Sequence, residues 1–400
     1  MKKRPMGLLI IMTISILSGC INSEPIVTTP SETVQPSTYP SWAQVQYNNS
    51  YSSCTLLENM NVIWETQVDN IIRQSLVISG GKVFVSGDTA LFCLDISNGN
   101  IIWEYETENV IKCTPATYNN YVFFGDDAGI FYCIDSNSGD SVWQNQYDNN
   151  PGGFSSPLIA DSKIFVSAIG KSTMYCLGPE TGDIVWQYDT GIDSIGSNTK
   201  MAYYSGSLYV PTHTGGIYCL DADTGDLLWQ NDMIRNCCGS PVVTENMICV
   251  STINDVYGLS HSGNIIWTFS TGGKASTTIS SSGKDVIFGI YNGPLAGNLV
   301  SLNTTNGEIN WQAHLLDSAD TDFMVSDRLI GGCAPTITSN VILVCIKYEN
   351  GTYALWGIDK KNLEVIYIFG DLNGSIKTHI PVVDNHVFFC TKNGQIYCLG

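Results

Sequence analysis

Positive charge is what this sequence has least of: Lys and Arg total 18 against 37 Asp and Glu, for a formal net charge of −19. Such a chain has no counter-charge for a phosphate backbone or an anionic lipid head, which excludes nucleic-acid binding and electrostatic adhesion to membranes. Charge of either sign is sparse, at 14% of residues, while apolar residues reach 44%. That balance excludes a disordered or heptad-built chain. The five histidines, His213, His261, His314, His379 and His386, lie apart, without His-x-His or His-Glu-x-x-His spacing, so no metal site is expected from them. The Asp-to-Gly turns at 95–99, 135–139 and 221–225 lack the alternating oxygen ligands and closing Glu of a calcium loop. Each Asp is expected to bond its own turn. No apolar run beyond residue 20 is long enough to cross a bilayer, and no window carries convincing helical periodicity.

What is present begins with an export signal. Lys2, Lys3 and Arg4 precede a ten-residue apolar run, 8–17, too short to span a bilayer core of about 30 Å as a helix. The run ends in Leu17, Ser18, Gly19 and Cys20, which resembles the lipobox of prokaryotic lipoproteins. The resemblance implies that Cys20 carries a lipid. Residues 21–41 hold Pro25, Pro30, Pro36 and Pro40 among Ser and Thr, the composition of an extended tether. The expected division is a lipoprotein signal peptide at 1–20, a tether at 21–41 and a folded domain at 42–400, in an extracytoplasmic protein held to a membrane by its lipid.

The folded part is one repeat, copied. Trp64, Trp103, Trp143, Trp186, Trp229, Trp267 and Trp311 follow one another at intervals of 39, 40, 43, 43, 38 and 44 residues. A period of that length signals a stacked repeat architecture. Before each tryptophan, β-branched and aromatic runs alternate with Gly-containing turns, giving four short antiparallel strands per unit. The expected fold is all-β, an eight-bladed β-propeller of four-stranded blades. Units end at Trp103, Trp143, Trp186, Trp229, Trp267, Trp311 and, in a degenerate copy, Tyr367. The sequence stops at Tyr397, Cys398, Leu399 and Gly400 without a tryptophan strand, and Trp64 heads no unit of its own. The ring is therefore expected to close by pairing the N- and C-terminal segments in an eighth blade.

The run Cys219-Leu220-Asp221-Ala222-Asp223-Thr224-Gly225-Asp226-Leu227-Leu228-Trp229 resembles the eleven-residue tryptophan-docking motif of quinoprotein-type propellers, with Cys in the usual Ala position. The opening around Trp42 is similar to that family as well. The resemblance covers 42–400 and implies docking roles for the seven repeat tryptophans. Its functional implication divides, because pyrroloquinoline quinone (PQQ) dehydrogenases share the repeat with non-enzymatic lipoproteins of the outer-membrane protein assembly machinery.

Fourteen cysteines are present, and thirteen remain once Cys20 is assigned to the lipid. Cys93, Cys133, Cys176, Cys219 and Cys398 recur at one position in five units, beyond the roughly 7 Å within which Cα atoms can be bridged. They are expected to be small buried apolar residues, as are Cys113, Cys249, Cys333, Cys345 and Cys390. Cys237 and Cys238 differ, being adjacent on a connection between blades. In PQQ alcohol dehydrogenases a vicinal disulfide lies beside the quinone, so the resemblance brings these two forward. No accompanying set of calcium ligands, catalytic Asp and cofactor-binding Arg is recognisable, and no cofactor is expected. The turns within blades are short on one face, whereas the other face carries enlarged connections at 290–298, 346–353 and above all 313–332, with Asp317, Asp320, Asp322, Phe323 and Arg328. These residues, with Cys237 and Cys238, form the candidate binding face. The expected function is a non-catalytic scaffold for an envelope or surface protein. The alternatives are a PQQ-dependent or other redox enzyme and a binding module for cell-envelope glycan.

Overall fold

The computed structural model describes residues 54–56, 60–147, 152–191, 200–212, 215–237, 239–272, 278–290, 297–315, 321–323, 334–348, 351–376 and 379–400. Among them all regular structure is β, arranged in eight antiparallel sheets, seven of four strands and one of five. Blade 1 is built from Val77–Ser79, Lys82–Ser86, Ala90–Asp95 and Ile101–Glu106, each strand pairing with the next. Blades 2 to 7 repeat this plan at 116–146, 158–189, 202–231, 242–270, 280–314 and 336–372. First strands of neighbouring blades touch one another from blade 1 to blade 5 and between blades 6 and 7, which places them around the axis.

The second and third strands of each blade are buried almost throughout. Their core is not one cluster but eight, and each cluster spans one seam between neighbouring blades. In Lys82–Ser86, Phe84 faces blade 2 while Val83 and Val85 face blade 8. Because side chains alternate across a strand, a strand sandwiched between two seams must be apolar at consecutive positions. The fourth strands lie at the rim and are half exposed.

A register shift recurs between the third and fourth strands. In blade 1, Cys93 pairs with Trp103 while Leu94 pairs with Ile101, leaving Ile102 as an extra residue. The same shift precedes Trp143, Trp186, Trp229, Trp267 and Trp311. A bulge twists the strand locally and re-aims the next side chain. It also explains the paired aliphatics at the rim, such as Leu227 and Leu228, the latter 52% exposed.

The eighth blade joins the two ends of the propeller. Val62–Gln67 pairs with Gln395–Leu399, and His386–Cys390 and Val382–Val383 complete the sheet. Trp64 lies opposite Cys398. Asn61 and Gly400 exchange backbone hydrogen bonds of 3.0 Å in both directions. Upstream, Leu56 donates its N–H to Asn340 Oδ1 at 2.9 Å and accepts from Asn340 Nδ2 at 2.8 Å, tying the N-terminal segment to a turn of blade 7. Removing the Trp64 indole would open a large void in the seam between blades 8 and 1 and leave the Ile96 carbonyl it bonds without a donor. Trp64→Ala should therefore cost about 3–5 kcal/mol in urea denaturation. A cost below about 1 kcal/mol would mean that the ring does not depend on this seam.

Candidate interaction face and the seams that support it

Six tryptophans dock in one way. The indole N–H of Trp64, Trp103, Trp143, Trp186, Trp229 and Trp267 donates to a backbone carbonyl in the following blade, that of Ile96, Ser136, Pro179, Ala222, His261 and Thr304, at 2.8–3.2 Å. Each ring lies against the glycine that closes the same turn. A Cβ added at Gly225 would sit 2.7 Å from the Trp186 ring, and its φ of +77° is already left-handed. Glycine is required there on both counts. The turn is held by its Asp: Asp221 Oδ1 accepts from the backbone N–H of Asp223 and Thr224, both at 2.9 Å. These bonds lower the pKa of Asp221, and hydrogen bonds from Ser97 and from Ser138 and Asn137 do the same for Asp95 and Asp135. The carboxylates thus serve their own turns.

Trp311 meets a different turn. In blade 7, Leu363 takes the glycine's place with φ 61° and donates to Asp359 O at 2.9 Å. Tyr367, the degenerate counterpart of the tryptophans, shares its core with Cys54, Leu56 and Met60. The N-terminal segment supplies apolar cover there, where blade 8 takes its fourth strand from Val62–Gln67 and has no turn between its third and fourth strands.

Within each blade the docking ring lies opposite a small residue of the third strand: Cys93, Cys133, Cys176, Cys219, Gly258, Ser301, Gly357 and, in the closing blade, Cys398. The constraint is steric, since a Cβ at Gly258 would come within 2.1 Å of the Trp267 ring. The five cysteines are buried, each in its own blade.

The face with enlarged connections is dominated by blade 7. Its second strand, Val341–Tyr348, and third, Tyr353–Asp359, are longer than their counterparts. The strand Thr321–Phe323 pairs with the projecting end, Asp322 opposite Lys347 and Phe323 opposite Ile346, and makes this the five-stranded sheet. Trp356 Nε1 donates to Tyr348 Oη at 3.0 Å across the same hairpin. The structure differs from the sequence expectation for 313–332 at two points. Ala313 and His314 belong to the last strand of blade 6, paired with Leu299 and Asn298, so the connection starts after them. Asp322 and Phe323 lie in a strand and not in a loop, because the long second strand of blade 7 offers them a free edge. Asp317, Asp320 and Arg328 lie outside the described residues, as do Cys20, Cys238, Cys333, His213 and Trp42.

Cys237 is buried, in an isolated bridge with Thr252. Ile111, Phe154 and Ile376 make the equivalent bridges in blades 2, 3 and 8, with Asp126, Ala168 and Thr391. The position is thus a recurrent apolar plug where a connection passes the end of a second strand. Asp126 is itself buried and satisfied within its blade: Oδ1 accepts from the backbone N–H of Ala128 and Ile130, and Oδ2 from Tyr132 Oη at 2.8 Å.

The family described as outer membrane protein assembly factor BamB matches residues 57–188 and 170–400. The chain belongs to this family. Among solved structures, BamB from Moraxella catarrhalis is similar over 85% of this chain and 99% of its own, at 16% identity and a TM-score of 0.66. A europium-containing methanol dehydrogenase is similar over 91% of this chain and 98% of its own, at 12% identity and a TM-score of 0.67. A quinohemoprotein alcohol dehydrogenase from Pseudomonas putida HK5 is similar over 85% of this chain and 76% of its own, at 10% identity and a TM-score of 0.61. At these identities the likeness is one of fold. No curated protein matches the chain by sequence.

The dehydrogenase neighbours raise the question of a metal and quinone. Among the described residues no three His, Cys, Asp or Glu side chains come together to hold a metal ion, and the buried carboxylate of Asp126 is committed to its own blade. The described residues do not fit metal-assisted quinone chemistry.

Burial pushes the thiols of Cys93, Cys133, Cys176 and Cys398 up from 9.0 to about 12, and that of Cys219 to about 11. A raised thiol pKa contributes stability that is present below the ordinary value and is lost as pH climbs from 9.0 towards these values. Iodoacetamide at about pH 8 should spare all five in the native protein and label them in urea, with stability falling in the alkaline range. Native labelling at the unfolded rate would show that these thiols are not packed beneath the tryptophans.

Proposed function

We propose that this protein is a non-catalytic scaffold, anchored by a lipid at Cys20 outside the cytoplasm, that presents the enlarged blade 7 side of its ring to a protein of the cell envelope or surface. The observation that carries this reading is the family match across 57–400 combined with the extra strand that sets blade 7 apart from its neighbours. A rigid ring with one elaborated edge suits recognition, because loops and added strands can vary without disturbing the seams. Thr321–Phe323 and the hairpin of Val341–Tyr348 with Tyr353–Asp359 form the rigid base. Asp317, Asp320 and Arg328 belong to the same connection in sequence. The Leu17 to Cys20 lipobox and the proline-rich segment behind it support the anchor.

Replacing residues 316–332 with a short blade connection should leave the melting temperature within a few degrees of wild type and abolish partner recovery in a crosslinking pull-down from native membranes. Undiminished recovery of the same partner would place recognition elsewhere. Cys20→Ser should release the protein from the membrane fraction or block its processing, and an unmodified, soluble wild-type chain would overturn the anchor. The likeness to quinone dehydrogenases favours one rival reading, a redox enzyme. Stoichiometric quinone binding with dye-linked alcohol oxidation, lost in Cys237→Ala, would replace the scaffold with that enzyme.

A further inference from the structure

Blade 7 ends in a fourth strand longer than that of any other blade. Val365–Leu372 has eight residues, against five or six in the other seven. It is an outer edge, with a strand neighbour on one side only. Val365 is 39% exposed and Ile368 54%, and no Lys, Arg or Pro interrupts the run. The register shift near Leu372 blunts only its far end. A long apolar edge of this kind is a template for pairing with another chain, and natural proteins cover it, charge it or twist it away.

The residue that follows this edge is Asn373, in the run Asn373-Gly374-Ser375. An Asn followed two residues later by Ser or Thr, with no Pro between, is an acceptor for N-linked glycan in a secreted chain. Four such runs occur, at Asn48, Asn303, Asn350 and Asn373, and Asn48 and Asn350 lie outside the described residues. Asn303 is half-buried, and its Oδ1 accepts from the Thr305 N–H at 2.8 Å in the turn that receives Trp267. The docking turn accounts for that asparagine. Asn373 is exposed, and among the described residues no hydrogen bond engages its side chain. Its backbone is what the fold holds: Asn373 O accepts from Asn393 Nδ2 at 2.6 Å, Lys392 N–H donates to Ser375 O at 2.9 Å, and Ile376 bridges to Thr391. These bonds seat 373–376 on the turn between the second and third strands of blade 8. Ser375 is 8% exposed, and its Oγ has no partner among the described residues. A buried, unbonded hydroxyl is a cost that packing does not explain, whereas a glycan acceptor requires one at this spacing.

We propose that Asn373 carries an N-linked glycan that guards the Val365–Leu372 edge. The reaction joins Asn373 Nδ2 to C1 of an oligosaccharide carried on a lipid phosphate. The C1–O bond to the phosphate breaks, the lipid phosphate leaves with the bonding pair, and the amide nitrogen gives up one proton. Because Ser375 is buried in the folded ring, transfer takes place before this segment packs, as the chain is exported. A bulky, solvated group at the end of the strand keeps a second strand from lying along it. The inference rests on the extracytoplasmic reading and adds to it a modification and the surface that it covers.

Tandem mass spectrometry of the tryptic peptide 362–377, from the full chain purified from native membranes, should show added sugar mass on Asn373 together with sugar fragment ions. Asn373→Gln and Ser375→Ala should lose that mass, and Ser375→Thr, which keeps the acceptor hydroxyl, should retain it. A bare peptide in protein that has lost residues 1–19 would overturn the glycan and leave the export reading standing. A bare peptide in protein that retains them would overturn both. In sedimentation, Asn373→Gln should form concentration-dependent oligomers where the glycosylated wild type stays a single species, and adding Ile368→Lys to that variant should return it to one species. An Asn373→Gln protein that stays a single species would overturn the guarding role.

Discussion

An indole set into the turn of the next blade, with its N–H on a backbone carbonyl and its ring over a glycine, is the contact that the rest of the ring requires. It couples three choices that look independent along the chain. The bulge before each tryptophan points the ring out of its own sheet, the small residue opposite clears the space beneath it, and the glycine of the following turn lets it approach. Enlarging any one of them displaces the indole. The cysteines at 93, 133, 176, 219 and 398 are thereby explained without redox chemistry: the position demands a residue that is small and tolerates burial, and Gly258, Gly357 and Ser301 meet the same demand.

Because every apolar cluster belongs to a seam, no blade owns a core. Each needs both neighbours, and an open ring would leave two faces of buried-type residues in water. This is the physical reason for the construction of blade 8, where Val62–Gln67 completes a sheet begun more than three hundred residues later. The bonds between Leu56 and Asn340 extend the clasp across the seam between blades 7 and 8. The segment around Leu56 also covers Tyr367, because blade 8 takes its fourth strand from Val62–Gln67 and so has no turn between its third and fourth strands.

Much of this was legible before any coordinates, and for a definite reason. A repeat that docks by one bulky aromatic leaves a periodic mark, so the spacing of Trp64 to Trp311 was sufficient to count blades, and the unmatched ends were sufficient to place the closure. Two features left no such mark. Thr321–Phe323 forms a strand only because Val341–Tyr348 outgrows its blade, a tertiary opportunity that the short, polar sequence around Asp322 does not announce. The bulges were hidden for the opposite reason: Ile101 and Ile102 look like a buried pair, yet Ile102 is 45% exposed because the extra residue breaks the alternation.

Buried Lys200 carries no mark in the sequence, because its setting lies in the ring and not in the residues around it. Along the chain it is one of 18 basic residues, on a connection with no recognisable motif. Only when the blades are arranged in a circle does the position before each first strand become a set of neighbours, bonded from blade to blade through His379 to Ser75 and Thr114 to Ser156. The same closure that makes the seams cooperative also brings polar groups from neighbouring blades together beside their first strands, where they bond one another.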